Sequence, residues 1–176
     1  MLLINDIPAT VKREKAVNYT STRGDKQSLN LAGIISRGTA TDGGLFVPSE
    51  WPVLNSAQRE ALLQGSYADT AIAVLNHFGG NSFEPGLLDQ AIPRAMEPFG
   101  TAANPPLKHI TDHLWSLELF RGPTFAFKDY ALAPLAEILD ARLAREQRRA
   151  TVLCATSGDT GAATCLLYTS PSPRDS

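Results

Sequence analysis

The sequence predicts an α/β protein: a small, mostly helical N-terminal domain over residues 17–100, then the beginning of a parallel-sheet domain over 101–164. Three observations point there. Helical periodicity dominates residues 55–96, a breaker-rich segment follows, and beyond it the order is strand, helix, strand, glycine-containing loop, helix. The 176 residues are 43% hydrophobic and 19% charged, with a formal net charge of −2. That balance excludes the electropositive field on which non-specific nucleic-acid binding depends. No apolar run approaches the ~20 residues needed to cross a bilayer. Neither a nucleic acid nor a membrane is therefore expected as partner. Lys12, Arg13 and Lys15 follow the short N-terminal mixed stretch, the reverse of a signal peptide's order, so a cytoplasmic location is expected. Cys154 and Cys165 are too few for a disulfide framework, and His77, His109 and His113 lack ligand spacing, so no metal is expected.

In chain order, residues 1–16 show no clear period and read as a flexible or non-native extension. Tyr19–Ile35 reads as strand and turn, and Gly38–Pro48 as a glycine-rich continuation with strand character. Asn55–Gln64 is a short helix, with Asn55 and Gln58 at capping-box spacing. Tyr67–Phe78 places Ala71, Val74, Leu75 and Phe78 on one helical face and ends at Gly79-Gly80. His77 falls in its last turn, where a cation suits the helix C-terminus. Pro85–Met96 is a third helical stretch, flawed by Pro93. Phe99–Pro106 is the expected linker.

Beyond it, Leu114–Phe120 alternates like a strand, and Arg121-Gly-Pro-Thr124 is a turn. Leu132, Leu135, Ala136, Leu139 and Leu143 recur at helical spacing, interrupted early by Pro134. Thr151–Ala155 is a short apolar strand, and the loop after it opens another helix.

Two segments carry chemistry. Lys128 lies within Phe-Ala-Phe-Lys-Asp-Tyr, residues 125–130, where aromatic and aliphatic neighbours would desolvate its ammonium. Desolvation favours the neutral amine, which is the form that attacks aldehydes. Spacing alone favours a lysine that snorkels to water from a helix end, and Asp129 beside it reads as a helix cap. The second segment, Ala155-Thr-Ser-Gly-Asp-Thr-Gly161, offers hydroxyls and helix-start N–H groups to a carboxylate or phosphate. It lacks the Gly-Lys-Ser/Thr of a P-loop, and taken alone it could be a plain turn.

Together, in this order, Leu119–Tyr130 and Ala155–Ala163 resemble the N-terminal portion of the threonine synthase family. Tyr19-Thr-Ser-Thr-Arg-Gly24 and Asp42-Gly-Gly-Leu-Phe-Val-Pro48 resemble that family's opening domain. The resemblance implies a tryptophan-synthase-β-like fold and a pyridoxal 5'-phosphate lyase that turns O-phospho-L-homoserine and water into L-threonine and phosphate. Lys128 matches the family lysine that forms the internal aldimine and then acts as general base. Ser157 and Asp159 match positions against the cofactor, and Ser157, Gly158, Asp159 and Thr160 match the loop that holds the substrate α-carboxylate. Arg121 stands where the family often has His before Gly-Pro-Thr, which puts a proton-transfer role there in doubt.

The family's cofactor-phosphate loop and pyridine-nitrogen partner would lie downstream of Gly161. The chain is accordingly expected to be a truncated fragment, inactive and weakly stable by itself, because a small domain buries a smaller share of its surface. Cys165–Ser176 resembles a translated sequencing-library adapter and reads as a non-native tail, rich in breakers. Two alternatives stay open: a non-enzymatic remnant or interaction module, and a related pyridoxal-phosphate dehydratase.

Overall fold

A computed structural model describes the backbone of residues 17–169 and the side chains of 17–165. The readings for residues 1–16 and 170–176 lie outside the described residues. About half of the described chain is helical, with two small antiparallel sheets. Its residues fall into two compact units. One holds the residues up to Arg59 together with Ala73–Pro85, and the other holds Glu60–Ile72 together with the residues from Gly86 onward.

In the first unit β1 (Tyr19–Ser21) pairs antiparallel with β2 (Phe46–Pro48), setting Tyr19 opposite Pro48 and Ser21 opposite Phe46. Tyr19 is buried, and its hydroxyl donates to the Phe78 carbonyl at 3.0 Å. The extended reading of 19–35 fails after Leu29. Residues Leu31–Arg37 form helix α1, because the Asn30 side chain accepts from the Gly33 N–H at 2.9 Å and caps the first turn. Leu31, Ile34 and Ile35 have i, i+3, i+4 spacing, so the helical signal was present in the sequence.

The Asp42 carboxylate ties this unit together. It accepts from the Ser21 hydroxyl at 2.7 and 2.9 Å, the Asp25 N–H at 2.8 Å and the Gly44 N–H at 2.9 Å. Gly44 is required there, since a Cβ would strike the Ser21 hydroxyl. The Ser21 hydrogen bond holds the Asp42 carboxyl below its ordinary pKa, and the Thr41 hydroxyl does the same for Asp25. Depressed carboxyl values stabilise the fold above the unfolded-state pKa, and that contribution is lost as pH falls through the native values. The amides of Asp25 and Gly44 are therefore expected to lose exchange protection, after correction for intrinsic rates, below about pH 4. Asp42→Asn should abolish this acid sensitivity; protection that holds unchanged down to about pH 2 would contradict it.

Helix α2 (Ser56–Gln64) starts as the sequence predicts. The Asn55 N–H donates to Gln58 Oε1 at 2.8 Å, and the Gln58 N–H donates to Asn55 Oδ1 at 2.9 Å. Helix α3 (Tyr67–Gly79) closes where Gly80, at φ 54°, donates to the Asn76 carbonyl. His77 occupies the last turn as expected, where it is buried and edge-on to Phe78.

In the second unit α4 (Leu87–Met96) runs through Pro93 and buries Leu88, Ala91, Ile92, Ala95 and Met96, an i, i+3, i+4, i+7, i+8 stripe. The expected linker is not slack. Glu97–Ala103 forms a 3-10 helix that turns at Gly100 and packs Phe99 against Ala95, Met96, Tyr130 and Ala133. Strands β3 (Leu107–Thr111) and β4 (Leu114–Leu117) follow as an antiparallel hairpin, with His109 opposite Trp115. After a 3-10 turn at Leu119–Arg121 comes α5 (Asp129–Arg145), which starts before the position sequence periodicity suggests and passes through Pro134.

Pro134 is tolerated for a visible reason. It has no N–H to give the Tyr130 carbonyl four residues earlier, and that carbonyl accepts the Tyr67 hydroxyl at 2.7 Å instead. Along α5, Tyr130, Ala133, Pro134, Ala136 and Ile138 are buried, whereas the expected Leu132, Leu135, Leu139 and Leu143 are only half-buried.

The parallel sheet is not formed among the described residues. Both sheets there are antiparallel pairs, and residues 151–156 are irregular and exposed. A strand exists only through pairing, and no described strand pairs with this segment. Helix α6 (Asp159–Thr169) continues past Cys165, where the sequence suggested a break, because its first breaker beyond that point is Pro171.

Candidate active site

The loop that presents Lys128 is built as a series of turns between β4 and α5. The Phe125 N–H bonds the Gly122 carbonyl at 3.0 Å, and the Asp129 N–H bonds the Ala126 carbonyl at 3.1 Å. Ala126 points into the core while Phe125 and Phe127 stay exposed. Asp129, in the first turn of α5, is only 3% exposed. Both its carboxylate oxygens are used: the Thr124 N–H donates at 2.8 Å and the Thr124 hydroxyl at 2.6 Å. The helix N-terminus offsets its buried charge. Asp129 thus caps the preceding turn through its side chain, a larger role than the helix cap read from sequence.

Lys128 has a side chain that is 29% exposed, with Nζ 4.6 Å from the centre of the Phe127 ring and 3.7 Å from Asp159 Oδ2. The amine is therefore not in the dry pocket that the aromatic neighbours suggested. It shares space with a carboxylate whose own side chain is 73% exposed. This pair brings the two sequence segments together, and Asp159 is the residue of the second segment that reaches the amine.

Ser157 and Gly158 lie in the exposed loop immediately before α6, and Thr160 is in its first turn. Thr156 Oγ1 accepts from the Gly158 and Gly161 N–H groups at 3.2 and 3.3 Å. Thr156 is thus occupied with its own loop, while the Ser157 hydroxyl remains in the exposed part. Gly161 is needed at this point, since a Cβ would press on the Thr156 methyl at 2.5 Å.

Two acidic residues carry more than sequence reasoning assigned them. Glu118, in the middle of an apolar run, is buried and accepts from Arg121 Nε at 2.6 Å. Arg121 thereby neutralises a buried charge, and its guanidinium sits 5.7 Å from the Phe120 ring centre. The signal was the Glu-x-x-Arg spacing, which the turn reading of 121–124 passed over. The second is Asp129, whose five-residue separation from Thr124 is not a standard capping pattern. A recess of about 500 Å³ beside this loop is lined by Phe99, Asn104, Phe120, Arg121 and Phe125; Lys128 is not part of its wall.

Among the described residues no group of three or more His, Cys, Asp or Glu could hold a metal ion, and no helix is long and apolar enough to cross a membrane.

Residues 18–96 match the family profile described as "Threonine synthase N terminus". The chain is 36% identical over 147 residues to a threonine synthase of Pseudomonas aeruginosa, covering 84% of this chain and 31% of that protein. With the threonine synthase of Schizosaccharomyces pombe it shares 38% identity over 156 residues, covering 84% of this chain and 30% of the relative.

Among solved structures, the pyridoxal-phosphate-bound threonine synthase from Brucella melitensis superposes with a TM-score of 0.80 at 38% identity, over 87% of this chain and 33% of that one. The yeast enzyme superposes with a TM-score of 0.76 at 33% identity, over 86% and 33%. The chain spans about a third of the length of these relatives.

Proposed function

We propose that this chain is the N-terminal part of a pyridoxal-phosphate-dependent threonine synthase, a lyase of threonine biosynthesis that converts O-phospho-L-homoserine and water into L-threonine and phosphate. The observation that carries the reading is the 3.7 Å approach of Lys128 Nζ to Asp159, which joins the two motif segments at one point. The residues present suit the aldehyde end of the cofactor: a reachable primary amine beside an exposed aromatic ring, next to an exposed hydroxyl loop at a helix start.

Lys128 would hold the cofactor, with Ser157 and Asp159 against it. Ser157, Gly158, Asp159 and Thr160 would receive the substrate α-carboxylate, aided by the N-terminus of α6. When bound, the cofactor supplies an electron sink for charge developing on the substrate. The chain's own task is to place the substrate and to move protons. The Lys128 amine would take the proton from the substrate Cα, relay protons between Cβ and Cγ as phosphate departs from Cγ and water adds at Cβ, and finally return a proton to Cα.

In this reading residues 17–100 are the opening domain and 101–164 begin the catalytic domain, where Thr151–Ala155 joins a parallel sheet with strands supplied by later sequence. The groups that hold the cofactor phosphate and pyridine nitrogen also belong to later sequence in this reading. A protein carrying this sequence at its relatives' full length, treated with pyridoxal phosphate and then borohydride, is expected to carry the stable label on Lys128 and not on Lys26 or Lys108. Peptide mapping reads the site. Labelling that persists undiminished in Lys128→Ala would refute the assignment.

A further inference from the structure

We infer that Asp129 and Thr124 form a clamp that holds Phe125 in a left-handed backbone conformation and so sets the direction in which Lys128 presents its amine. Both are positioning residues; the significance of the clamp rests on Lys128 being the cofactor-bearing amine.

Phe125 stands at φ 60°, in a region that bulky L-residues rarely occupy. Its side chain is 80% exposed, so its own packing does not hold it there. Strained residues of this kind persist only where the surroundings over-determine them. The surroundings here are specific. One residue before Phe125, the Thr124 N–H and hydroxyl are both bound to Asp129, and four residues after Phe125 comes that same buried Asp129. The segment 124–129 is thereby closed into a ring through a side chain, and Lys128 lies within the ring.

Gly122 completes the arrangement, because a Cβ there would collide with the Asp129 carboxylate. Both oxygens of Asp129 act as acceptors, which a carboxylate provides and an amide does only in part. The left-handed residue reverses the chain direction so that Ala126 enters the core and Phe127 and Lys128 emerge together. That leaves Nζ over the Phe127 ring at 4.6 Å. Opening the clamp allows Phe125 to relax to a negative φ and carries the amine away from the ring.

The ring contact gives a readout that needs no cofactor. Lysine amines of the chain are reductively methylated with ¹³C-formaldehyde, and the Lys128 methyl signal is assigned by its loss in Lys128→Arg. The Phe127 ring is expected to shift that signal upfield of the Lys26 signal, and Phe127→Leu to remove the shift. Thr124→Val, which loses the hydroxyl and keeps the shape, and Asp129→Asn are expected to move the Lys128 signal toward that of Lys26 while Lys108 stays in place. Thr124→Ser should leave it where it is.

Phe125→Gly added to Thr124→Val should return the signal toward its original position, because glycine takes the left-handed conformation without strain and a weakened clamp then suffices. A general loss of packing would not be repaired by glycine. A Lys128 signal unmoved in folded Thr124→Val, or unrecovered in the double variant, overturns the clamp. Should Asp129→Asn unfold, Thr124→Val and its glycine partner decide the matter alone. None of these outcomes depends on pyridoxal phosphate, so failure of the cofactor assignment, read by borohydride labelling, remains distinguishable.

Discussion

Phe99→Ala is expected to lower the unfolding free energy of the second unit by about 3–5 kcal/mol. The ring is 7% exposed and lies 4.8 Å from that of Tyr130, which in turn meets Tyr67 edge-on at 5.4 Å. The contacts spread outward from there. The Tyr130 hydroxyl donates to the Ala102 carbonyl at 2.7 Å, and the Tyr67 N–H donates to Asn104 Oδ1 at 2.8 Å. The start of α3, the end of α4, the 3-10 helix and the start of α5 all converge on this cluster. Truncating Phe99 removes its transfer free energy and leaves a void that four segments must collapse to fill, which rigid helix ends do poorly. Whole domains are stable by only ~5–15 kcal/mol, so the loss should be visible as a large fall in the urea midpoint followed by circular dichroism. A shift equivalent to under about 1 kcal/mol would show that Phe99 is not central.

Ile92→Ala should cost about 2–5 kcal/mol, and Ile92→Val only about 0.5–1.5 kcal/mol. Ile92 is 0% exposed, at the centre of the apolar stripe of α4. Its neighbour Pro93 already forfeits one helix hydrogen bond, so packing rather than backbone bonding holds this helix in place. The graded pair tests that claim: equal losses for valine and alanine would point to a backbone effect and not to a cavity. If both losses were near zero, α4 would have another route to burial.

Several local signals, in which a residue's partner lies within a turn of it, were legible. Asn55 and Gln58 cap each other as their spacing says, and Tyr67–Gly79 ends at its glycine pair. The Asn30 cap is equally local, yet the strand-and-turn reading of Tyr19–Ile35 passed over it. Distant partners were not legible. Nothing near Pro134 says that a tyrosine 67 residues earlier in its chain count, at position 67, will take up the carbonyl it leaves free. Likewise the run at 114–120 has strand composition, but whether it pairs antiparallel with Leu107–Thr111 or parallel with a later strand depends on what lies beside it.

The site divides in the same way. Its chemistry, an amine among aromatic residues and a hydroxyl loop before a helix, is a property of residue types and order, and the resemblance to threonine synthases follows from those. The dryness of the amine was misjudged from its neighbours because Phe125 and Phe127 point outward and Asp159, from a separate segment, stands beside Nζ.

What the amino-acid order determined alone was the capped start of α2 and the glycine stop of α3, the presence of Lys128 and the Ser157–Thr160 loop, and the family resemblance they carry, since these rest on propensity, capping and side-chain chemistry within a few residues. Only the tertiary structure decided which faces are buried, that Asp129 closes on Thr124, and that Lys128 meets Asp159. Those contacts depend on how helices and loops pack through space, and packing is set by the sum of many weak, long-range contacts that no short window contains.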